Sequence, residues 1–195
     1  MLKIGITGGI GSGKTTVCHV FETLGIPVFY ADVVAKDIMV TDPLLIEGIK
    51  KTFGEESYLE HQVLNKTHIA QIVFNNTTEL EKLNALVHPA VFRAFDQWVA
   101  HVPVTHPYIL KEAALLFESG SYKMCDKTIV VVAPTALKKA RVMLRDEVTE
   151  AQVQARMDKQ FNDEQKIEMA DFLLHNQESS SIILQVLALH EQFIK

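Results

Sequence analysis

Residues Gly8-Gly9-Ile10-Gly11-Ser12-Gly13-Lys14-Thr15 constrain this chain more than any other stretch, because they satisfy G-x-x-x-x-G-K-[ST] at every defined position. Before them, residues 2–7 form a short, mostly apolar run that reads as a strand buried in a parallel sheet. After them, Val17, Val20, Phe21 and Leu24 recur at helical spacing, and Gly25 ends the helix. In a strand, glycine-rich turn and helix of this kind, successive backbone N–H groups wrap a phosphate and the helix N-terminus adds favourable partial charge. Gly9, Ile10, Gly11, Ser12, Gly13, Lys14 and Thr15 then form a nucleotide cradle. Lys14 reaches the β- and γ-phosphates, and the Thr15 hydroxyl ligates Mg²⁺. A glycine-rich turn that binds nothing has no need of Lys and Thr at those places. The dinucleotide pattern G-x-G-x-x-G fails on counting: from Gly8 the third residue is Ile10, from Gly9 the sixth is Lys14, and from Gly11 the sixth is Thr16.

A second strand at residues 27–30 is separated from the first by a helix alone, so a right-handed parallel crossover is expected and the fold class is α/β. From about residue 32 to residue 106 apolar residues recur at three and four, which predicts a helical insertion. Residues 108–110 and 128–132 read as two further buried strands, the second β-branched and ended by Ala133-Pro134. A long helical region follows, in which Thr149-Glu150-Ala151-Gln152 has the form of a capping box and starts a helix running to about Gln160. Residues 172–174 make a short fifth strand, and Ser179-Ser180-Ser181 caps a final helix reaching Phe193.

Composition removes several function classes. At 195 residues one compact domain is the natural expectation, with small attached subdomains permitted. The 19 basic against 24 acidic residues give a formal charge of −5, which offers no general attraction for nucleic acid or an anionic membrane. Cys18 and Cys125 are far apart and lack partners at metal-ligand spacing, so buried reduced thiols are expected rather than a zinc site or a disulfide framework. The first residues meet glycine too soon for a signal peptide, and no stretch reaches the roughly 18 apolar residues of a membrane span. The expected location is cytoplasmic.

The kind of nucleotide user follows from what accompanies the loop. A guanine-reading Asn-Lys-x-Asp is missing, since Asn65-Lys66 continues as Thr67-His68. The strand at residues 108–110 ends in Lys111-Glu112 rather than in the adjacent acids usual for a motor or transport ATPase. Phosphoryl transfer to a small acceptor is the better class. It needs a carboxylate on the sheet edge that carries the phosphate loop, and Asp32 falls there, two residues after Tyr30. Its other possible role is to cap the helix that follows. Arg141 and Arg145, one helical turn apart, are two of the chain's four arginines and suit a clamp on the transferring charge. The alternative is a solvated helical face paired to Asp146 and Glu147. By local sequence alone His88, between apolar helical stretches, is more often a packed or capping residue than a substrate ligand, and Glu118 is left undecided.

Taken in order along nearly the whole chain, these residues resemble dephospho-coenzyme A kinases. The resemblance rests on Thr7 to Thr16, Leu24-Gly25, Ala31-Asp32, Leu83-Asn84-Ala85-Leu86-Val87-His88-Pro89, Leu115-Leu116-Phe117-Glu118-Ser119-Gly120, Arg141 with Arg145-Asp146, Arg156, Gln160, Ala170-Asp171 and Asn176. It implies transfer of the ATP γ-phosphate to the ribose 3′-hydroxyl of dephospho-coenzyme A, with Mg²⁺ as counter-ion and Asp32 as base. It adds Thr16, Arg141 and Asn176 to the ATP site and places His88, Leu115 and Glu118 near the acceptor. The chain departs from the family pattern at Tyr30, where many members carry Asp, and at Glu112 and Ala114, where the pattern is Asp-x-Pro.

The expected architecture is a five-stranded parallel sheet of P-loop type flanked by helices. Its core comprises residues 1–31, 107–138 and 161–195, with a helical acceptor region at 32–106 and a small helical lid at 139–160. Another small-metabolite or nucleotide kinase, or a nucleotide-binding module without turnover, stands as the rival reading.

Overall fold

In the computed structural model, which describes residues 1–74 and 76–195, strand β1 (Leu2–Thr7) lies at the centre of the sheet. The other strands are β2 (Val28–Tyr30), β3 (Tyr108–Glu112), β4 (Lys127–Val132) and β5 (Phe172–His175). Their order is β2-β3-β1-β4-β5 and every pairing is parallel, so all five carboxyl ends share one edge. Strands buried on both faces need apolar residues at nearly every position. That is why Ile4, Ile6, Ile109, Leu110, Ile129, Val130 and Val131 all have no exposed surface.

Helices α1 (Lys14–Thr23) and α9 (Ile182–Phe193) bury Val17, Cys18, Phe21, Val186 and Leu189 in one core with Ile4, Ile6, Tyr108, Leu110, Ile129 and Val131. Ser181 caps α9 by accepting a 3.4 Å hydrogen bond from the Leu184 amide, as its position before the helix implies. Helices α6 (Thr135–Asp146), α7 (Glu150–Met157) and α8 (Asp163–Met169) fill the segment between β4 and β5. The Thr149–Gln152 capping box is present at the start of α7, and a second, Asn162–Gln165, starts α8. Helix α7 ends at Met157 rather than near Gln160, and the residues between the two helices turn inward to meet the phosphate loop. Strand β3 continues two residues past Leu110, because the buried Lys111 and Glu112 pair in register with Gly5 and Ile6 of β1.

The chain divides into two compact units, residues 1–30 with 102–195 and residues 31–101. The second unit contains α2 (Ala31–Thr41), α3 (Pro43–Phe53), α4 (Lys66–Val73) and α5 (Thr77–His101) around a core of Leu45, Ile46, Ile49, Phe53, Tyr58, Ile69 and Ala90. Asp42 caps α3 through the amides of Leu44 and Leu45 and accepts a 3.0 Å bond from Arg93 of α5. Burial raises the Asp42 carboxyl, but these hydrogen bonds outweigh it and hold the group below its ordinary value. No described strand occurs in this unit, and the Tyr58–Leu64 pairing is a single bridge. Among the described residues no helix is long and apolar enough to cross a membrane.

Candidate active site

The chain leaving β1 runs toward β2 and the chain leaving β4 runs toward β5, so the carboxyl ends of these neighbouring strands open a crevice between them. The glycine-rich loop turns in that crevice. Ser12 N donates to Gly9 O at 3.0 Å and closes the leading turn, and α1 begins at Lys14, which aims its first N–H groups back into the loop. Gly13 has φ +90°, and a Cβ there would run into the side-chain amide of Asn176. Gly11 has φ +79°, and a Cβ there would meet the Lys138 carbonyl. Both the left-handed backbone and the close approach require glycine at these two positions.

Lys14 is buried to 9% exposure, donates from Nζ to Gly8 O at 3.2 Å, and lies 4.0 Å from Glu112 Oε1 at the end of β3. Thr15 and Thr16 are exposed on the first turn of α1. A cavity of about 360 Å³ is lined by Gly11, Gly13, Lys14, Thr15, Thr16, Arg141, Val142 and Arg145. The fold thus brings together the cradle, its lysine and the two arginines that the sequence placed one helical turn apart. Arg141 donates to Gly11 O and to Asn176 Oδ1, each at 3.4 Å, while Asn176 Nδ2 donates to Ser12 O at 2.7 Å. Asn176 therefore braces the loop and Arg141 at once. Arg145 instead forms a bidentate pair with Asp146 at 2.7 and 3.1 Å, and Arg156 reaches the same carboxylate at 2.6 Å. The Arg145 hydrogen bonds, helped by Arg156, hold the Asp146 carboxyl down at about 2 despite opposing desolvation.

A second cluster sits on the other flank of the loop. The Ile10 amide, expected in the phosphate cradle, donates to Gln160 Oε1 at 2.9 Å. Lys138, 3% exposed, pairs with Asp163 at 2.6 Å beside Gly9. Glu118 Oε1 accepts from the Phe161 amide at 2.8 Å and pairs at 2.9 Å with Lys166, which has no exposed surface and also donates to Ala114 O. Glu118 Oε2 is buried with no hydrogen-bond partner among the described residues. Gly9, Lys138, Gln160, Phe161 and Asp163 line a cavity of about 250 Å³ there. Leu115 is exposed on the same segment, whereas Leu116 is wholly buried.

Asp32 and His88 belong to the second unit. Asp32 is exposed in the first turn of α2, two residues beyond the last residue of β2, inside the helix rather than at its cap. A carboxylate there is stabilised by the helix N-terminus. His88 is half-buried on α5 and stacks with Phe92 at 6.4 Å and 19°. Burial lowers its pKa and favours the neutral ring.

Glu112, Lys138 and Asp163 also lie beside the phosphate loop and were not singled out as site residues from the sequence. Glu112 had a usable signal, its place at the carboxyl end of a buried strand. Lys138 and Asp163 had none, since their pairing joins residues 25 positions apart.

The sequence model of the dephospho-CoA kinase family matches residues 2–181. The dephospho-CoA kinase of Salinibacter ruber is 44% identical over 179 residues, 90% of this chain and 89% of that protein. A Thermus thermophilus protein of known crystal structure superposes with a TM-score of 0.87 at 30% identity, covering 100% of this chain and 98% of that one. The dephospho-CoA kinase of Campylobacter jejuni superposes with a TM-score of 0.70 at 28% identity, covering 98% and 96%. With the family model spanning most of the chain and its phosphate loop built as described, this protein belongs to the dephospho-CoA kinase family.

Proposed function

We propose that this protein transfers the γ-phosphoryl group of ATP to the ribose 3′-hydroxyl of dephospho-coenzyme A, giving coenzyme A and ADP, in the cytoplasm. The observation that carries this reading is the convergence of the Lys14 cradle with Arg141 and Arg145 around one cavity in a member of this family. Lys14 and the loop amides hold the β- and γ-phosphates, and the two arginines sit on the face of α6 that borders the same space. Asn176 and Arg141 border the loop at Gly13, where the nucleoside end of ATP is seated in this reading.

The donors at the loop are hard oxygens, the Thr15 hydroxyl and the buried Glu112 carboxylate, which suits a Mg²⁺ ion held mainly by substrate phosphates. When bound, the ion neutralises charge on the β- and γ-phosphates. Asp32 accepts the proton of the 3′-hydroxyl as that oxygen attacks phosphorus, and its place just past β2 puts it on the chain leaving the catalytic edge. His88, Leu115 and Glu118 are assigned to the acceptor, Glu118 also holding the Phe161 backbone.

The test is ADP formation from Mg²⁺-ATP with dephospho-coenzyme A, set beside adenosine, AMP, CMP and shikimate, with product mass confirmed. Turnover of dephospho-coenzyme A with addition of one phosphate is expected. Turnover of another acceptor in its place overturns the assignment.

A further inference from the structure

We infer that Gln160 is a positioning residue for phosphoryl transfer, holding the Ile10 amide of the phosphate loop away from the nucleotide and fixing the loop's leading turn. The inference rests on the kinase reading above.

The turn from Gly9 to Ser12 is closed by the Ser12 amide on Gly9 O, with Ile10 and Gly11 at its tip. The Ile10 N–H points out of that turn, and Gln160 Oε1 accepts it at 2.9 Å from a residue 150 positions away. A partly buried N–H is satisfied by an acceptor, and the acceptor supplied is a side chain rather than a phosphate. The phosphate-facing amides therefore begin after Ile10, and the turn is oriented before any nucleotide arrives.

Gln160 is itself held by the residues that follow it. The next amide, Phe161, donates to Glu118 Oε1 at 2.8 Å, and Glu118 is pinned by the fully buried Lys166. Asn162 caps α8 by accepting from Gln165 N at 2.8 Å, and Asp163 is locked to Lys138 of α6 at 2.6 Å. These ties run to the segment after β3 and to the arginine-bearing helix, so Gln160 ties the orientation of the loop to the elements around it. The side-chain type also matters. A neutral carbonyl accepts the N–H without placing negative charge beside a polyphosphate, which a carboxylate at the same atoms would do.

The experiment follows the loop amides by ¹⁵N NMR in the full chain and compares Gln160→Met with Gln160→Glu. On adding Mg²⁺-ADP to the wild type, the amides of Gly11, Gly13, Lys14 and Thr15 shift, while Ile10 keeps its resonance and exchanges slowly. Gln160→Met speeds Ile10 exchange about tenfold and lowers kcat on the order of 10–10²-fold, the scale of a misplaced reacting group. Its KM for ATP stays close to the wild-type value. Gln160→Glu restores Ile10 protection and keeps kcat, but raises the KM for ATP increasingly as its carboxyl ionises. An Ile10 resonance that moves with the others, or a Gln160→Met enzyme with wild-type kcat, overturns the inference. If Gln160→Met does not fold, the wild-type titration and Gln160→Glu decide it. Loop amides that ignore Mg²⁺-ADP altogether overturn the kinase reading, and the inference with it.

Discussion

Glu112 Oε1 lies 4.0 Å from Lys14 Nζ, so the cation presented by the phosphate loop is faced by a buried carboxylate from the neighbouring strand. The pair poises Lys14 between Gly8 O and Glu112 until phosphate oxygens compete for it. Lys14→Met is expected to lower kcat by 10²–10³-fold or more, the range for removing one preorganised charge-stabilising donor. Glu112→Gln is expected to raise the Mg²⁺ concentration needed for half-maximal rate. Both are read in a coupled ADP assay titrated with Mg²⁺.

Asp32 occupies the first turn of α2, inside the helix rather than at its cap, and is the proposed general base. Asp32→Asn should reduce kcat on the order of 10²–10⁴-fold and leave ADP affinity unchanged by calorimetry. Near-normal turnover would reduce the residue to a favourable charge at a helix N-terminus.

Gly13 has no room for a methyl group, because the Asn176 amide fills that space and bonds Ser12 O. Gly13→Ala displaces Asn176 and, through it, Arg141. ADP affinity is expected to fall about tenfold or more, since at least two hydrogen bonds worth roughly 1 kcal/mol each are lost. Calorimetry on the variant and on Asn176→Ala should show the same direction.

Lys138 is nearly without solvent and pairs with Asp163 at 2.6 Å. Lys138→Met breaks one side of the pair and should destabilise the protein by about 2 kcal/mol, because Asp163 retains some access to water. That corresponds to a Tm lower by roughly 4–8 °C for a chain of this size. Lys138→Met combined with Asp163→Asn should recover part of the loss in thermal unfolding.

Asp171 joins the start of β5 to β4 through the Thr128 amide at 2.8 Å, the Thr128 hydroxyl at 3.0 Å and Lys127 at 3.1 Å. Burial pushes its carboxyl up, but Lys127 and Thr128 outweigh that and hold it below the ordinary value. A folded pKa below the unfolded value of about 3.9 means that its stabilisation is complete above that pH. It is lost as pH falls through 3.9 toward the lower folded value. Asp171→Asn is therefore expected to be less stable at pH 7 and to show a flatter acid decline, measured as Tm from pH 7 to pH 2.

The order of strands and helices was legible because each has its own period and its own punctuation. Thr7, Gly8 and Gly9 mark where β1 ends, Gly25 marks the end of α1, and Thr149 with Gln152 marks the start of α7. The loop residues and the arginine pair on α6 were legible for the same reason, since both are local patterns. Lys111 and Glu112 were read as the end of a strand because charge normally marks solvent, whereas here they are buried and complete β3. Gln160 was placed in a helix because nothing local signals a bond to Ile10 at the other end of the chain. Arg145 shows the same limit, because its pairing with Asp146 depends on side-chain geometry that a helical wheel leaves open.

The central place of β1 also bears on how the chain comes to be folded at all. Leu2 pairs with Tyr108 and Ile4 with Lys127, so the first strand synthesised must wait for the third and fourth before its backbone groups find partners. At about 5–20 residues per second that wait is on the order of ten seconds on the ribosome. During this time Leu2–Thr7 and the glycine loop form an unpaired, aggregation-exposed segment, while the helices of residues 31–101 assemble from contacts close in sequence. The phosphate cradle is thus made before the strands that flank it and is set only after them.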